Sequence, residues 1–290
     1  MHQSSLNFIF CVRCNGALEL DVFSCSDEIK EGFLLCKKCD ILYPIVSGVA
    51  ILWNDFVSYL SSRKELGGQL LNEAKNSKLK SHIKKTLSKV EKNVEDQTLI
   101  EKRWATIYQN NSKSKFYSKI KSILKQIQSD VSLEHGCSIG TISEQMAKTS
   151  KQVFGIDKSF FAIKAAKEKK LSNADFFVAD SLLHPFANQK FDLILALNLL
   201  EIIEPIDLIK TISSQMQKGH LIISDPYDFD RGKNSVKRTV NEKELRDEIK
   251  KYSFTISSDT KKESFIPWNL QIAKRTELKY LVDVVVAKKL

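Results

Sequence analysis

The chain has 290 residues, of which 42% are hydrophobic and 28% are charged, and this composition excludes a disordered protein. No apolar run reaches the roughly 20 residues that span a bilayer, and the N-terminus lacks the regions of a signal peptide. We therefore expect no membrane association and a cytoplasmic location, where thiols stay reduced. The net charge of +10 is concentrated in residues 61–130, which contain 16 lysines and arginines and seven acidic residues and so carry a net charge of +9.

The first sixty residues contain two CxxC pairs, Cys11 with Cys14 and Cys36 with Cys39. Each CxxC turn directs two thiolates at one point, and four thiolates complete a tetrahedral shell at about 2.3 Å from a zinc ion. The segment is too short to build a good core alone, so a bound metal would supply the missing stability. We predict a structural zinc site, with iron as the alternative metal. Cys25 is predicted to be a small core residue or, alternatively, a substitute ligand.

The sequence around the second pair, EIKEGFLLCKKCDILYPIVSGVAILW, resembles the Trm112-like zinc-ribbon family. The matching positions are Gly32, Leu35, Tyr43, Pro44, Ile45, Gly48 and Val49. Ala50 stands where that family usually has proline. The resemblance covers about residues 7–54. It implies a partner or appendage of methyltransferases, which would contact either its own methyltransferase domain or another protein.

Residues 61–130 are predicted to be helical, because apolar residues recur at helical spacing with lysines on the opposite face. The apolar positions are Leu79, Ile83, Leu87, Val90 and Val94 in one segment, and Phe116, Ile120, Ile123, Leu124 and Ile127 in another. Gly67-Gly68 and residues 110–115 are predicted breaks. We interpret the segment as a basic helical connector. The alternative is a surface for RNA phosphates, with stacking from Trp104, Tyr108 and Tyr117.

From Val131 onward, short β-rich runs alternate with helical stretches, which predicts a doubly wound parallel sheet. The predicted strands are VSLEHG, QVFGID, ADFFVAD, FDLILAL and GHLIISD, with helices near 142–149, 160–170 and 205–216. A further helix is predicted to begin after Asn241 as N-cap, with Glu244 completing a capping box. Two last strands, FTISSDT and KYLVDVVVAKK, are predicted to follow.

The first of these strands leads into a turn that contains Gly136, Ser138 and Gly140, and Asp157 ends the next strand, 21 residues after Gly136. A strand, a glycine turn, a helix and an acidic residue about 20 positions on indicate a nucleotide-type cofactor site, where the carboxylate binds a ribose. A dehydrogenase would favour the GxGxxG spacing, which is absent here because Thr141 stands at the position of the last glycine.

Residues 131–290 resemble class I S-adenosylmethionine-dependent methyltransferases, which carry an acidic residue and alternating glycines in this turn. The resemblance implies a Rossmann-like seven-stranded sheet, mostly parallel with an antiparallel last strand, and S-adenosylmethionine as the cofactor. It implies that the turn binds the cofactor through Glu134, Gly136, Ser138 and Gly140. It also implies that Asp157 holds the ribose hydroxyls, that Asp180 and Ser181 lie near the adenine, and that the fourth strand ends at the cofactor with Asn198 and Leu199.

Two residues of the turn depart from that family. Ser138 replaces a glycine; a small residue still lets the backbone approach the cofactor, but serine lacks the freedom for positive φ. His135 stands where an apolar residue is usual, and we interpret it as a strand residue with a satisfied ring. We expect a functional but atypical cofactor loop.

The stretch SDPYDFD and the later segment with Pro-Trp, Arg and Tyr resemble methyltransferases of the carnosine N-methyltransferase type. The matching residues are Tyr227, Asp228, Pro267, Trp268 and Arg275, whereas Phe229 stands where tryptophan is usual. The resemblance implies a nitrogen acceptor, such as an imidazole, that Tyr227 or Asp228 would orient. The alternative is that Pro267 and Trp268 only pack the loop between the last two strands.

These observations predict three parts: a zinc ribbon in 1–60, a basic helical connector in 61–130 and a methyltransferase domain in 131–290. The predicted function is S-adenosylmethionine-dependent N-methylation of a small molecule or of a peptide or protein nitrogen. One alternative is a ribosomal or transfer RNA methyltransferase that uses the ribbon and the basic segment. The second alternative is a non-catalytic zinc-ribbon scaffold on a degenerate methyltransferase fold.

Overall fold

A computed structural model describes residues 1–91, 93–230 and 236–290 of the chain. The chain forms two compact units. The first unit comprises Met1–Thr106, Ile156–Lys170 and Asp175–Ala187. The second unit comprises Ile107–Gly155, Leu171–Ala174 and Asn188–Leu290.

The first unit is built on four consecutive antiparallel strands and one strand from later in the chain. The four are β1 (Glu19–Cys25), β2 (Ile29–Cys36), β3 (Ile41–Val46) and β4 (Val49–Leu52). The later strand, β7 (Ala174–Ala179), pairs in parallel with β4, so that Leu52 lies opposite Ala179. Strand β4 is buried throughout. A strand of the predicted ribbon therefore extends the sheet of the predicted α/β domain.

A 3-10 turn at Gln3–Asn7 precedes the ribbon strands, and a series of helices follows them. They are α1 (Phe56–Ser61), α2 (Lys64–Glu73), α3 (Ser77–Leu87), α4 (Thr98–Asn110) and α5 (Lys115–Leu124). Asp55, Asn76 and Ser114 cap α1, α3 and α5 through side-chain oxygens that accept backbone N–H groups, which satisfies donors that the first helical turn leaves open. The helical prediction for this segment is confirmed.

Two features of this segment differ from the predictions. Gly67-Gly68 is not a break, because both glycines lie inside α2. A Cβ on Gly67 would come 2.4 Å from Leu87 Cδ2, so a larger residue at this position would make the Leu87 side chain shift. The predicted break at 110–115 is confirmed, since α4 ends at Asn110 and α5 begins at Lys115. Leu79 and Ile83 are buried as predicted, whereas α3 has ended before Val90 and Val94.

The second unit contains parallel and antiparallel strands in the order β5-β8-β9-β12-β10, with β11 paired to β12. Their bounds are β5 (Ser129–His135), β8 (Leu193–Leu197), β9 (Gly219–Asp225), β10 (Phe254–Ile256), β11 (Ile266–Ala273) and β12 (Thr276–Lys289). Strands β5, β8 and β9 are parallel, and β12 is antiparallel to β9. Strand β6 (Ser150–Asp157) begins in the second unit and ends in the first.

The remaining helices are α6 (Ser143–Met146), α7 (Phe160–Lys167), α8 (Pro205–Ser214) and α9 (Glu242–Lys251), with a 3-10 turn at Ser258–Thr260. The capping box of α9 is confirmed: Asn241 accepts from the N–H of Glu244, and the Glu244 carboxylate accepts from the N–H of Asn241. Strand β8, at the centre of the parallel strands, is apolar along its whole length because both faces of a parallel sheet are covered. Residues Leu193–Ala196 of β8 are thus completely buried.

The α/β fold class and the antiparallel last strand are confirmed. The final region contains one strand more than predicted, since Pro267 and Trp268 lie in β11 and not in a loop. Among the described residues β11 pairs with β12 alone, and an edge strand tolerates a proline that cannot donate to the ladder. Among the described residues, no helix combines the length and the hydropathy that crossing a bilayer would require.

Candidate functional site

The turn after β5 has the backbone conformation that its glycine pattern predicted. Gly136, Ser138 and Gly140 have φ values of 60°, 48° and 69°, so three alternate residues are left-handed. We expected that serine would disfavour a positive φ at this position, but Ser138 adopts one. This conformation costs about 1–2 kcal/mol relative to the right-handed region. A Cβ on Gly136 would lie 2.5 Å from Cδ2 of Leu199, which follows β8, so packing also favours glycine at this position.

Glu134 is buried at the end of β5, and its carboxylate accepts a hydrogen bond from the Ser143 hydroxyl. The Gly140 N–H donates to the Cys137 carbonyl at 2.9 Å, which closes the turn before α6. His135 is also buried, and its Nε2 lies 2.8 Å from the Gln215 side-chain oxygen, so it is a strand residue as predicted and at least one of its ring nitrogens has a partner.

Asn198 follows β8 with a φ of 56°. Its side-chain oxygen accepts from the Ser224 hydroxyl at 2.9 Å, and its N–H donates to the Ser224 carbonyl at 2.8 Å. Because β5 and β8 are parallel, with His135 opposite Ala196, the glycine turn and Asn198 lie at the same edge of the sheet. The second unit thus brings these two predicted parts of the cofactor site together.

The other predicted cofactor residues belong to the first unit. Asp157 ends β6, and its Oδ1 accepts from the Ser159 N–H at 2.8 Å. Asp180 follows β7, and its Oδ1 accepts from the N–H groups of Leu182 and Leu183 at 2.7 and 3.2 Å. Ser181 is buried. Both carboxylates are therefore fixed by hydrogen bonds from the residues that follow them.

The residues predicted to face the acceptor follow β9. The Tyr227 hydroxyl donates to Asp283 Oδ2 at 2.9 Å, and Arg246 binds both oxygens of Asp283 at 2.6 and 3.0 Å. Burial raises the pKa of Tyr227, and the neighbouring Asp283 raises it further. The Asp228 N–H donates to Glu201 Oε1 at 3.1 Å. A fixed phenol and a carboxylate therefore sit in adjacent positions after β9.

An aromatic cluster, which sequence analysis did not recognise as one group, surrounds Trp268 of β11. Its members are Tyr108, Phe116, Tyr117, Trp268 and Tyr280, with ring centroids 5.6 to 6.3 Å from that of Trp268. Burial raises the pKa of Tyr117, and Tyr108 and Glu134 raise it further. The rings come from α4, α5, β11 and β12, which have no common local pattern.

The four paired cysteines form one cluster, with their Sγ atoms all within 4.8 Å of one another. A tetrahedral zinc ion with bonds of 2.3 Å separates its sulfur ligands by about 3.8 Å, close to the observed 3.6 Å between Cys14 and Cys36. Burial alone would raise the pKa of Cys11, but the nearby Tyr43 hydroxyl and backbone N–H groups lower it to about 7, which favours the thiolate. The residues fit a structural zinc site.

Cys25 does not take part in this cluster and is exposed, so its prediction as a core residue or substitute ligand is wrong. Strand β1 has irregular register against β2 between Val22 and Ser24 and again between Ser24 and Cys25. No residue of β1 is fully buried, so the strand offers no core position for this thiol.

Family models match two parts of the chain. A model described as methyltransferase domain matches residues 128–281, just over half of the chain, and one described as Trm112p-like protein matches residues 4–48. Among curated proteins, none matches this sequence.

Several solved structures share the fold. One is a chain of the complex between the Haloferax volcanii Trm112 methyltransferase activator and a methyltransferase, with 14% identity, a TM-score of 0.50, and coverage of 63% of this chain and 93% of that one. Magnesium protoporphyrin IX methyltransferase from Synechocystis PCC 6803 has 16% identity, a TM-score of 0.49, and coverage of 69% and 100%. The N-methyltransferase NodS from Bradyrhizobium japonicum has 18% identity, a TM-score of 0.46, and coverage of 60% and 85%.

Proposed function

The chain belongs to the methyltransferase domain family, and on that premise we propose that it methylates a nitrogen atom of a small molecule or peptide. Membership of the family confirms the predicted enzyme class and S-adenosylmethionine as the cofactor. The match of residues 4–48 confirms the predicted Trm112-like segment. The proposal concerns the acceptor and the roles of individual residues.

S-adenosylmethionine supplies a methyl group that is already activated by the positive sulfur. The protein has to align the acceptor nitrogen with the methyl carbon, exclude water and accept the proton that the nitrogen loses. The cofactor would supply the methyl group and keep the electron pair of the C–S bond, and the chain's residues would hold the acceptor nitrogen in line with that bond. Alignment is thus the main task of the chain's own residues.

The observation that carries the proposal is the buried N–H of Trp268 inside the aromatic cluster. Trp268 is 6% exposed, and its Nε1 meets no hydrogen-bond acceptor among the residues that the structure describes. A buried donor without a partner costs about 1–3 kcal/mol, which a ligand with an acceptor group would recover. Helix α5, which carries Phe116 and Tyr117, packs against α6, the helix that follows the glycine turn, and this contact supports a position of the cluster beside that turn.

Aromatic rings also favour a cationic or imidazole-like acceptor, because the ring faces attract positive charge. In this proposal Tyr227 and Asp228 orient the nitrogen. The Tyr227 hydroxyl donates its hydrogen bond to Asp283, which leaves the lone pairs of the phenol oxygen to accept from an N–H group of the substrate. In this proposal Tyr227 and Asp228 keep the orienting role that the sequence predicted, and that of Tyr227 is a specific hydrogen bond.

We propose that the Trm112-like segment acts on its own chain. The archaeal relative was solved as a complex with a Trm112 methyltransferase activator. Here a Trm112p-like segment is part of the same polypeptide, and β4 pairs in parallel with β7 of the methyltransferase fold. We also propose a reducing compartment such as the cytoplasm, because it would preserve the four zinc-binding thiolates.

The test uses zinc-loaded protein with methyl-labelled S-adenosylmethionine and three acceptor classes: imidazole-containing dipeptides, short peptides and RNA. We expect label in a dipeptide or peptide, and label in RNA alone would contradict the proposal. Trp268→Phe should raise KM for the acceptor about tenfold without changing cofactor affinity, because it removes one hydrogen bond from a buried group.

A further inference from the structure

A cavity of about 230 Å³ lies in the first unit at the end of β4. The residues that follow β4 line one side of it with Trp53, Asn54, Asp55 and Ser58, and Asp180 and Leu183 line the other. Nothing in the proposed function uses the residues on the β4 side. They belong to the segment that joins the Trm112-like ribbon to α1.

The pairing of β4 with β7 explains why the two sides meet. The strands are parallel, and Leu52, the last residue of β4, lies opposite Ala179, the last residue of β7. The next residues, Trp53 and Asp180, therefore leave the sheet at the same edge. The carboxyl ends of the strands in such sheets are where ligands bind.

The same segment also contacts the other acidic turn of the first unit. Tyr59 of α1 is buried, and its hydroxyl donates to the Lys158 carbonyl at 3.0 Å, immediately after Asp157. The rings of Trp53 and Tyr59 are in contact, with centroids 5.2 Å apart. The Arg63 guanidinium lies over the Tyr59 ring, 4.4 Å from its centroid, and holds that ring in place. The segment 53–59 thus contacts the residue that follows Asp157 of β6 and shares a cavity with the residues that follow β7.

The lining of the cavity matches a flat, partly apolar ligand with an amino group. Leu52, Trp53 and Leu183 supply apolar surface. Asp180 uses Oδ1 for two backbone N–H groups, while its Oδ2 has no hydrogen-bond partner among the described residues. That oxygen is an acceptor for an N–H donor such as the exocyclic amine of a purine.

We infer that the ribbon-borne segment Trp53–Ser58 forms the outer wall of the adenine subsite, with Trp53 as a binding residue for the cofactor. The inference rests on the proposed function, since it takes S-adenosylmethionine as the ligand. The ribbon then has a direct role in cofactor affinity in addition to its role in the sheet. Its zinc site supports this wall, because Arg13, between Cys11 and Cys14, donates to the Asn54 side-chain and backbone oxygens at 3.0 and 3.3 Å.

The test is calorimetric titration of zinc-loaded protein with S-adenosylhomocysteine and with methylthioadenosine, which keeps the adenosine and lacks the amino-acid part. Trp53→Ala should weaken binding of both ligands by the same factor, about tenfold, because base–aromatic contacts contribute about 1–3 kcal/mol. Trp53→Phe should retain most of the affinity. Phe23→Ala removes another aromatic ring of the same ribbon and should leave the affinity unchanged, which controls for loss of ribbon packing.

A second variant guards against a folding defect in Trp53→Ala. Leu183 is 51% exposed, so Leu183→Trp narrows the cavity without disturbing the core, and it should also weaken binding of both ligands. If the wild-type protein binds the ligands and both Trp53→Ala and Leu183→Trp bind them with the same affinity, the inference is overturned and the proposed function stands. Absence of binding in wild-type protein would overturn both.

Discussion

Glu28 provides a quantitative test of how the ribbon stabilises the first unit. It lies between β1 and β2, and its carboxylate binds Lys167 of α7 at 2.7 Å and Lys30 at 2.7 Å. The side chains of Glu28 and Lys167 are 16% and 7% exposed, so solvent screens this pair little. Asp175 of β7 binds the same ammonium at 2.7 Å. Replacing Glu28 by glutamine therefore removes one carboxylate from a buried cluster that joins the ribbon to the methyltransferase fold.

The size of the effect follows from the pKa of Glu28. Burial alone would raise this pKa, but Lys167, Lys30 and the N-terminal amine of Met1, which is 2.9 Å from Oε2, together outweigh burial and lower it from 4.5 to about 2. A shift of this size corresponds to about 3 kcal/mol of stabilisation of the folded state by the ionised carboxylate. We expect Glu28→Gln to lower the free energy of unfolding at pH 7 by about that amount.

The effect should depend on pH with a defined sign. Because the folded-state pKa lies below the unfolded value, the stabilisation is complete above pH 4.5 and is lost as the pH falls towards 2. The difference between wild-type protein and Glu28→Gln should shrink to about 1 kcal/mol at pH 3.

The assay is urea denaturation at pH 7 and pH 3, followed by circular dichroism. The matched control is Glu19→Gln, which removes the same charge from the same ribbon at an ion pair whose side chains are 70% and 58% exposed. Exposed pairs contribute little, so the control should unfold like wild-type protein. Equal stability of Glu28→Gln and wild-type protein at pH 7 would refute the reasoning.

Three further substitutions test other parts of the structure. Cys36→Ser should lose the bound zinc and lower the melting temperature, because three thiolates leave the shell incomplete; unchanged zinc content by mass spectrometry would rule out the four-cysteine site. Asp157→Ala should abolish binding of S-adenosylhomocysteine in calorimetry while the far-ultraviolet spectrum stays unchanged, and wild-type affinity would refute its assignment to the ribose. Ser138→Gly should raise the melting temperature by about 2–4 °C, because glycine adopts the left-handed φ of 48° without strain; a lower melting temperature would show that the serine is not strained.

Features encoded by local patterns could be predicted from the sequence. The apolar runs of β5 to β9 and the glycine turn depend on residues close together in the chain, and so does the capping box of Asn241 and Glu244. The two CxxC pairs likewise predicted the cysteine cluster, because each pair brings its own thiolates together. Predicted helix ends extended two or three residues too far, since helix termini carry weaker signals than helix faces.

Features that depend on distant contacts could not be predicted. The parallel pairing of β4 with β7 joins residues about 130 positions apart, and no local pattern marks it. The sequence alone predicts a break at Gly67, because the contact of this residue with Leu87 has no local signal. The backbone of Ser138 follows from the turn as a whole and not from the preference of serine. The aromatic cluster around Trp268 also depends on four separate elements.

The most direct test of the account is calorimetric titration of the purified, zinc-loaded wild-type protein with S-adenosylmethionine and S-adenosylhomocysteine. The account predicts saturable binding of both ligands with one site per chain and dissociation constants of about 1–100 μM, or roughly 5–8 kcal/mol of binding free energy. Such binding would establish that the turn with Ser138 holds the cofactor. Failure of folded, zinc-loaded protein to bind either ligand at millimolar concentration would contradict the account and favour a zinc-ribbon scaffold on an inactive methyltransferase fold.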